Sequence, residues 1–278
     1  MMHRYRTDMA EELRRQYTED LEGVTCAEEE VNGLPVFTVV IENEHGENAL
    51  GKPAGRYDTL KLPKWFDRGS ESFPDAVHAL AKLIARNISG SPREALVAAL
   101  GNPDITPDAL GSLAASSVLV TRHLKRKEPD TFRGFCSLAL CRPGVLGTSG
   151  VESAVQVQIL CRELRPELVV AIDALAGCEA EQLCRSVQVS SAGISPGSGV
   201  GNDRQELSQA TLGVPVLSIG MPTVIDAGFL GDGQFNGMFV TPRDIDSLVR
   251  AGARLIGYAI DLALHQGIDI PDVDALIG

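Results

Sequence analysis

Five apolar residues in a row, Leu168, Val169, Val170, Ala171 and Ile172, run straight into an acid, Asp173. A continuous apolar run of this length reads as a strand buried on both faces, the kind found in sheets covered by helices. Runs of the same type recur at 95–100 (ALVAAL), 136–140 (CSLAL), 187–189 and 214–219 (VPVLSI). Helical spacing lies between them at 72–87, 108–123, 151–164 and 179–185. A long helix follows at 241–265, introduced by Thr241-Pro242 and Asp244. The expected fold is therefore α/β, a mostly parallel twisted sheet with helices on both faces. Right-handed crossovers then bring the strand ends to one edge, where ligands and catalytic groups sit.

The first sixty-odd residues read differently. Residues 7–20 (TDMAEELRRQYTED) are polar and helix-favouring, with Thr7 as N-cap, and suggest a surface arm outside the core. Residues 35–41 (PVFTVVI) are β-rich, and 56–62 (RYDTLKL) alternate like a half-exposed strand. The stretch NEHGENALGKPAG between them is turn-rich. An arm plus a small antiparallel element is expected over residues 9–65.

Composition narrows the function. Thirty-seven acids against 25 Lys+Arg give a net charge of −12, which argues against a general phosphate-backbone binder. The one short basic run, residues 122–127, fits a solvated helix end. No stretch reaches the ~18 to 20 apolar residues of a membrane span, and the N-terminal MMHRYRTDMAEELRRQ lacks the apolar core of a signal peptide. A cytoplasmic protein is expected. The six cysteines include no C-x-x-C pair, so reduced thiols are expected and a structural zinc site is not.

Three loops after strands carry the polar residues. One begins Gly101-Asn102 and runs through Asp104 to Asp108. The second begins at Asp173. The third is Gly193 to Asn202, with Ser195, Gly197, Ser198, Gly199 and Gly201. Asp173 either opens onto the ligand edge or caps a following helix. Asp108 sits at a helix start, where the helix N-terminus would lower its pKa. If the two acids share one crevice they cannot both ionise cheaply, and the pair titrates as a unit. Such a pair activates water, the ionised acid taking a proton while the protonated one polarises a carbonyl. Holding a divalent metal is the alternative. The Gly-rich loop reads as a tight structural turn, a substrate loop or an anion-binding loop. It is neither G-x-G-x-x-G nor a Walker loop. Ser149 and Ser198 lack the G-x-S-x-G frame, which argues against a Ser/His hydrolase.

These same residues resemble the germination protease family, the spore endopeptidases that begin degradation of small acid-soluble spore proteins. RTDMA at 6–10, LGN at 100–102 and ITPDALG at 105–111 are similar to family motifs. So are TRHL at 121–124, PGVLGTSGVES at 143–153 and AIDALA at 171–176. PGSGVGN at 196–202, TLGVPV at 211–216 and PTVIDA at 222–227 complete a match over nearly the whole chain. The resemblance implies a single α/β peptidase domain over 9–278 with a phosphorylase/hydrolase-like fold, akin to hydrogenase-maturation peptidases. It implies a catalytic pair at Asp108 and Asp173. No cofactor is expected, with a divalent metal held by the acids as the alternative. Gly101, Asn102, Ser195, Gly197, Ser198, Gly199, Gly201 and Asn202 would form the substrate loops. It further implies a self-processed zymogen whose leader, residues 1–8, is cut at Asp8-Met9. A homotetramer in the cytoplasm of the spore core is implied as well, with spore proteins as substrate and no nucleic-acid or membrane partner. A non-proteolytic nucleotide- or anion-binding protein built on the 197–201 loop is the alternative. The chain departs from the family in a short bridge over 228–239, where relatives carry a helical insertion. Some relatives have His at the position of Ser195. The metal-binding His that follows the second acid in hydrogenase-maturation peptidases is absent, which favours the two-aspartate mechanism.

Overall fold

The LVVAI run is the first half of a central strand. The computed structural model describes residues 7–197, 204–230, 235 and 237–277. The N-terminal third holds α1 (Ala10–Arg15), β1 (Val24–Val31), β2 (Leu34–Ile41), α2 (Glu44–Leu50), β3 (Gly55–Lys61) and α3 (Phe73–Arg86). Next come β4 (Glu94–Ala99), α4 (Leu110–Ala114), α5 (Arg122–Lys127), β5 (Ser137–Cys141), α6 (Leu146–Ser149) and α7 (Ser153–Leu164). The chain continues through β6 (Leu168–Gly177), β7 (Ser186–Ser190), α8 (Gln209–Leu212), β8 (Val216–Asp226) and β9 (Phe239–Val240). It closes with α9 (Ile245–Leu264) and α10 (Ile270–Ile277).

One sheet takes all nine strands, in the order β1-β2-β3-β7-β8-β6-β4-β5, with β9 on β8. The ladders β4–β5, β4–β6 and β6–β8 are parallel. The other five among the described residues are antiparallel. The sheet is thus mixed and mostly antiparallel, and the expectation of a mostly parallel sheet is corrected. The reason is β7, which runs against both neighbours and welds the N-terminal meander β1-β2-β3 to the parallel half. Alternate residues of β6 enter different core clusters. Val170 and Ile172 pack with residues of α3, α4 and α9, while Val169 and Ala171 pack with Ala154, Val157 and Cys161 of α7.

Several local expectations change for identifiable reasons. The turn-rich stretch contains α2, because the Asn and Gly that punctuate turns also end helices. Asn43 Oδ1 accepts the N–H groups of His45 and Gly46, and Gly51 closes the helix at φ +67°. Strand β3 is not half-exposed, since Tyr57, Asp58, Thr59 and Leu60 are all buried between β2 and β7. The helix expected over 108–123 breaks into a 3-10 turn, α4, a second 3-10 turn, an extended stretch and α5. Asp261 of α9 accepts the Leu119 N–H with both oxygens, at 2.9 and 3.1 Å, and so holds that stretch out of the helix. Residues 179–185 form turns instead of a helix. The last long helix starts at Ile245, and Asp244 precedes it without a side-chain cap bond.

The N-terminal arm is the largest correction. Thr7, Asp8, Met9, Ala10, Glu11 and Glu12 are all buried. Met9, and not Thr7, is the residue before α1, and the Thr7 hydroxyl donates to the Glu12 carboxylate. The carboxylate of Glu12 also accepts the backbone N–H groups of Cys178 and Glu179, at 2.8 and 3.0 Å. Glu11 pairs with Lys61 and Arg15, each at 2.7 Å. A charged sequence is buried here because each acid meets cations or backbone donors. At the outer edge of the meander, β1 presents Glu28, Glu29 and Glu30 to solvent.

Asp58 ties the meander to α3. Fully buried, it takes Arg86, Arg56, Asn87 and the Thr38 hydroxyl. Burial alone would raise its pKa, but these partners outweigh it and hold the carboxyl below the ordinary aspartate range. Asp58→Ala should cost about 3 kcal/mol, because both arginines lose their buried partner yet still reach water. A depressed folded pKa stabilises above the unfolded value and is lost as pH falls through the folded one. The gap between wild type and variant in urea unfolding should therefore narrow on acidification.

Candidate active site

The site begins where β4 leaves the sheet. The β4–β6 ladder ends at Ala99 opposite Ile172, and the Leu100 N–H makes a last bond to the Ile172 carbonyl at 2.8 Å. Gly101 then turns the chain away at φ +92°, where a Cβ would lie 1.9 Å from the Asp108 carbonyl oxygen. The loop ends in a 3-10 turn, Thr106–Asp108. Gly111 lets α4 settle directly on the strand backbone, since a Cβ there would meet the Leu100 and Ile172 carbonyl oxygens at 2.4 Å. Thr223 of β8 donates to the Pro107 carbonyl at 2.7 Å and pins the loop from the other side.

Asp173 stands in the space β4 vacates. Strand β6 continues through it to Gly177, pairing with β8, so it caps no helix. The side chain is 3% exposed, and Oδ1 accepts the Ala174 N–H at 3.0 Å. Asp108 is half-buried, and its Oδ2 accepts the Asn102 N–H at 2.9 Å. Both acids line one open cleft of about 490 Å³, together with Asp8 and Arg204. The remaining wall is largely apolar, with Leu100, Ile105, Val145, Leu175, Val224 and Phe239.

Burial raises the Asp173 pKa well above normal, and the charge of Asp108 raises it further. Burial raises Asp108 as well, against the lowering effects of the Asn102 N–H and the Arg204 charge. The helix-start lowering expected at Asp108 does not occur, because the acid ends a single 3-10 turn, ahead of the five-residue α4. The deeper acid is therefore the one that keeps a proton, and the shallower one ionises first. Two such groups on one cleft provide a general acid and a general base side by side.

The N-terminal segment enters the same cleft. Asp8 donates its N–H to the Ala176 carbonyl at 2.8 Å, and its Oδ2 accepts the Ala176 N–H at 2.9 Å. Met9 follows with no exposed surface. Gly101 lines the cleft, whereas Asn102 acts through its bond to Asp108. Gly197 reaches the cleft at φ +73°, and Ser195 is exposed beside a neighbouring small cavity. Ser198, Gly199, Gly201 and Asn202 lie outside the described residues. Arg204 and Thr223 were not singled out from the sequence. Arg204 has no motif of its own and Thr223 lies inside the PTVIDA motif with nothing to mark its role, so only the fold brings them to the acids.

The cleft thus holds one carboxyl that keeps its proton and one that ionises first, and the comparisons give the class of the chain as peptidase. The model of the germination protease family matches residues 3–236, and the chain belongs to that family. A germination protease of Clostridium perfringens (strain ATCC 13124) is 32% identical over 327 aligned positions, covering 99% of this chain and all of the relative. That of Caldanaerobacter subterraneus is 35% identical, with 98% of each chain covered. That of Bacillus licheniformis is 40% identical over 79% of this chain and 61% of the relative. The 327 aligned positions exceed the 278 residues here, so the Clostridium relative has segments without a counterpart. Among solved structures, a [NiFe] hydrogenase maturation protease HycI from Thermococcus kodakarensis overlaps at TM-score 0.36 and 16% identity. It covers 64% of this chain and 98% of its own, an overlap too low to argue from.

The raised pKa of Asp173 carries a stability consequence. An acid whose folded pKa exceeds its unfolded value stabilises the fold at low pH, and that contribution is lost as pH rises through the folded pKa. Asp173→Asn removes the penalty, so the variant should melt above wild type at neutral pH. The difference should fade below the ordinary aspartate range, as thermal melts across pH would read.

Proposed function

We propose that this chain is the endopeptidase that starts the breakdown of small acid-soluble spore proteins at germination, with Asp108 and Asp173 activating water. The observation that carries the mechanism is the shared cleft, in which the charge of Asp108 bears directly on the buried Asp173. Family membership supports the peptidase activity and its place in germination. In this reading ionised Asp108 takes a proton from water as the water oxygen attacks the peptide carbonyl carbon. Protonated Asp173 gives its proton to the carbonyl oxygen. The resulting tetrahedral diol collapses: the C–N bond breaks, Asp108 passes its proton to the leaving nitrogen, and a diol hydroxyl returns a proton to Asp173. Net, one water is added and both acids recover their starting states. Apolar side chains around the cleft, including exposed Ile105 and Phe239, suit an extended polypeptide.

The same reading makes the chain a self-processed zymogen. Asp8 already lines the catalytic cleft and its backbone lies along β6, the position a substrate strand would need. Cleavage at Asp8-Met9 would free residues 1–8. A homotetramer in the spore-core cytoplasm belongs to this proposal. Among the described residues no helix is long and apolar enough to cross a membrane.

Asp108→Asn and Asp173→Asn should each fold and each lower cleavage of a purified spore protein by at least ~10²-fold, the lower end of what general acid–base catalysis contributes. Normal rates in either variant would remove that acid from the chemistry. Wild-type protein held at mildly acidic pH should lose a peptide ending at Asp8, read by intact mass. An active enzyme that keeps its N-terminus would refute the leader assignment.

A further inference from the structure

The backbone on either side of the Asp8-Met9 bond is held by one side chain. Gln188 of β7 donates Nε2–H to the Asp8 carbonyl at 3.1 Å, and its Oε1 accepts the Ala10 N–H at 2.8 Å. These two bonds fix the amide's orientation and bracket residue 9. Next to this clamp is a small cavity of about 140 Å³ that Asp8 also lines, so Asp8 stands at the junction of the cavity and the catalytic cleft. Lys52 lines the cavity, placed there by Gly51 at the end of α2, with Nζ 6.0 Å from the centre of the Tyr57 ring.

We propose that Lys52 reads the acidic side chain on the amino side of the cleaved bond, while Gln188 positions that bond. The proposal rests on the self-processing reading above and adds the residues that select the site. Lys52 is half-buried, so its ammonium is only partly solvated and gains from an anion beside it. Burial lowers the Lys52 pKa, and Asp8 is the group whose charge restores it. Attraction between such groups is screened less than at an open surface. A neutral or basic residue at position 8 would remove the charge that offsets the desolvation of Lys52, leaving Glu206 of the same cavity and the Tyr57 ring as its remaining partners, and a site built for a charged partner discriminates strongly against its absence. The acid is thus selected by charge inside the cavity, and Gln188 sets the register by accepting only the backbone that flanks it. Lys52 is a specificity residue and Gln188 a positioning residue.

The test follows leader release from the full-length chain by intact mass, for wild type, Lys52→Met, Lys52→Arg, Asp8→Asn and the Lys52→Met/Asp8→Asn double variant. Lys52→Met and Asp8→Asn should each slow release about tenfold or more, and Lys52→Arg should largely restore it. The double variant should be no slower than the slower single one, because both remove the same interaction. The charge exchange Lys52→Glu/Asp8→Lys should release faster than Lys52→Glu alone, an outcome that a merely structural Lys52 would not give. Wild-type rates in Lys52→Met, or losses that multiply in the double variant, would overturn the assignment. A wild-type chain that releases nothing would instead overturn the self-processing reading on which it rests.

Discussion

Where β4 turns out of the sheet at Gly101, a parallel ladder ends and a carboxyl is left standing in the gap. The rest of the site follows from that departure. The strand that stays, β6, keeps its backbone bonded to β8 and therefore holds Asp173 rigidly. The strand that leaves returns as the 3-10 turn carrying Asp108, pinned by Asn102, Thr223 and the close seat of Gly111. Two acids come together although 65 positions separate them, because their strands are neighbours. Burial then sets their order of ionisation.

The N-terminal segment shows how a polar sequence comes to be interior. Thr7 to Glu12 would be costly to bury singly, yet each acid is answered. Asp8 takes a backbone N–H from the far end of β6, Glu12 takes those of the two residues that follow it, and Glu11 takes Lys61 and Arg15. The extension of β6 beyond its β4 partner carries the chain to those donors, so the feature that opens the cleft also docks the N-terminal segment beside it.

Sequence patterns revealed what depends on apolar runs and helical spacing: α3, β4, β5, α7, the first half of β6, and α9 were legible. Asp173 was legible as the acid following a doubly buried strand, and Asp108 as the acid after Pro107. What depended on partners distant in sequence was not. Nothing near Val187 announces that β7 runs antiparallel to both neighbours, yet that single strand makes the sheet mixed. Nothing near Leu119 announces that Asp261 will extract it from a helix. Charge misled at residues 7–12, because hydrophilicity reports a residue's preference for water and not the buried donors that can replace it. The family motifs pointed to Asp8-Met9, but the depth at which that bond is held appears only in three dimensions.

The outermost strand of the sheet carries three successive glutamates into solvent. A bare strand border is a template on which stray extended chains can crystallise, and a protease meets such chains constantly. The fringe of negative charge makes that border repellent to acidic polypeptides in particular.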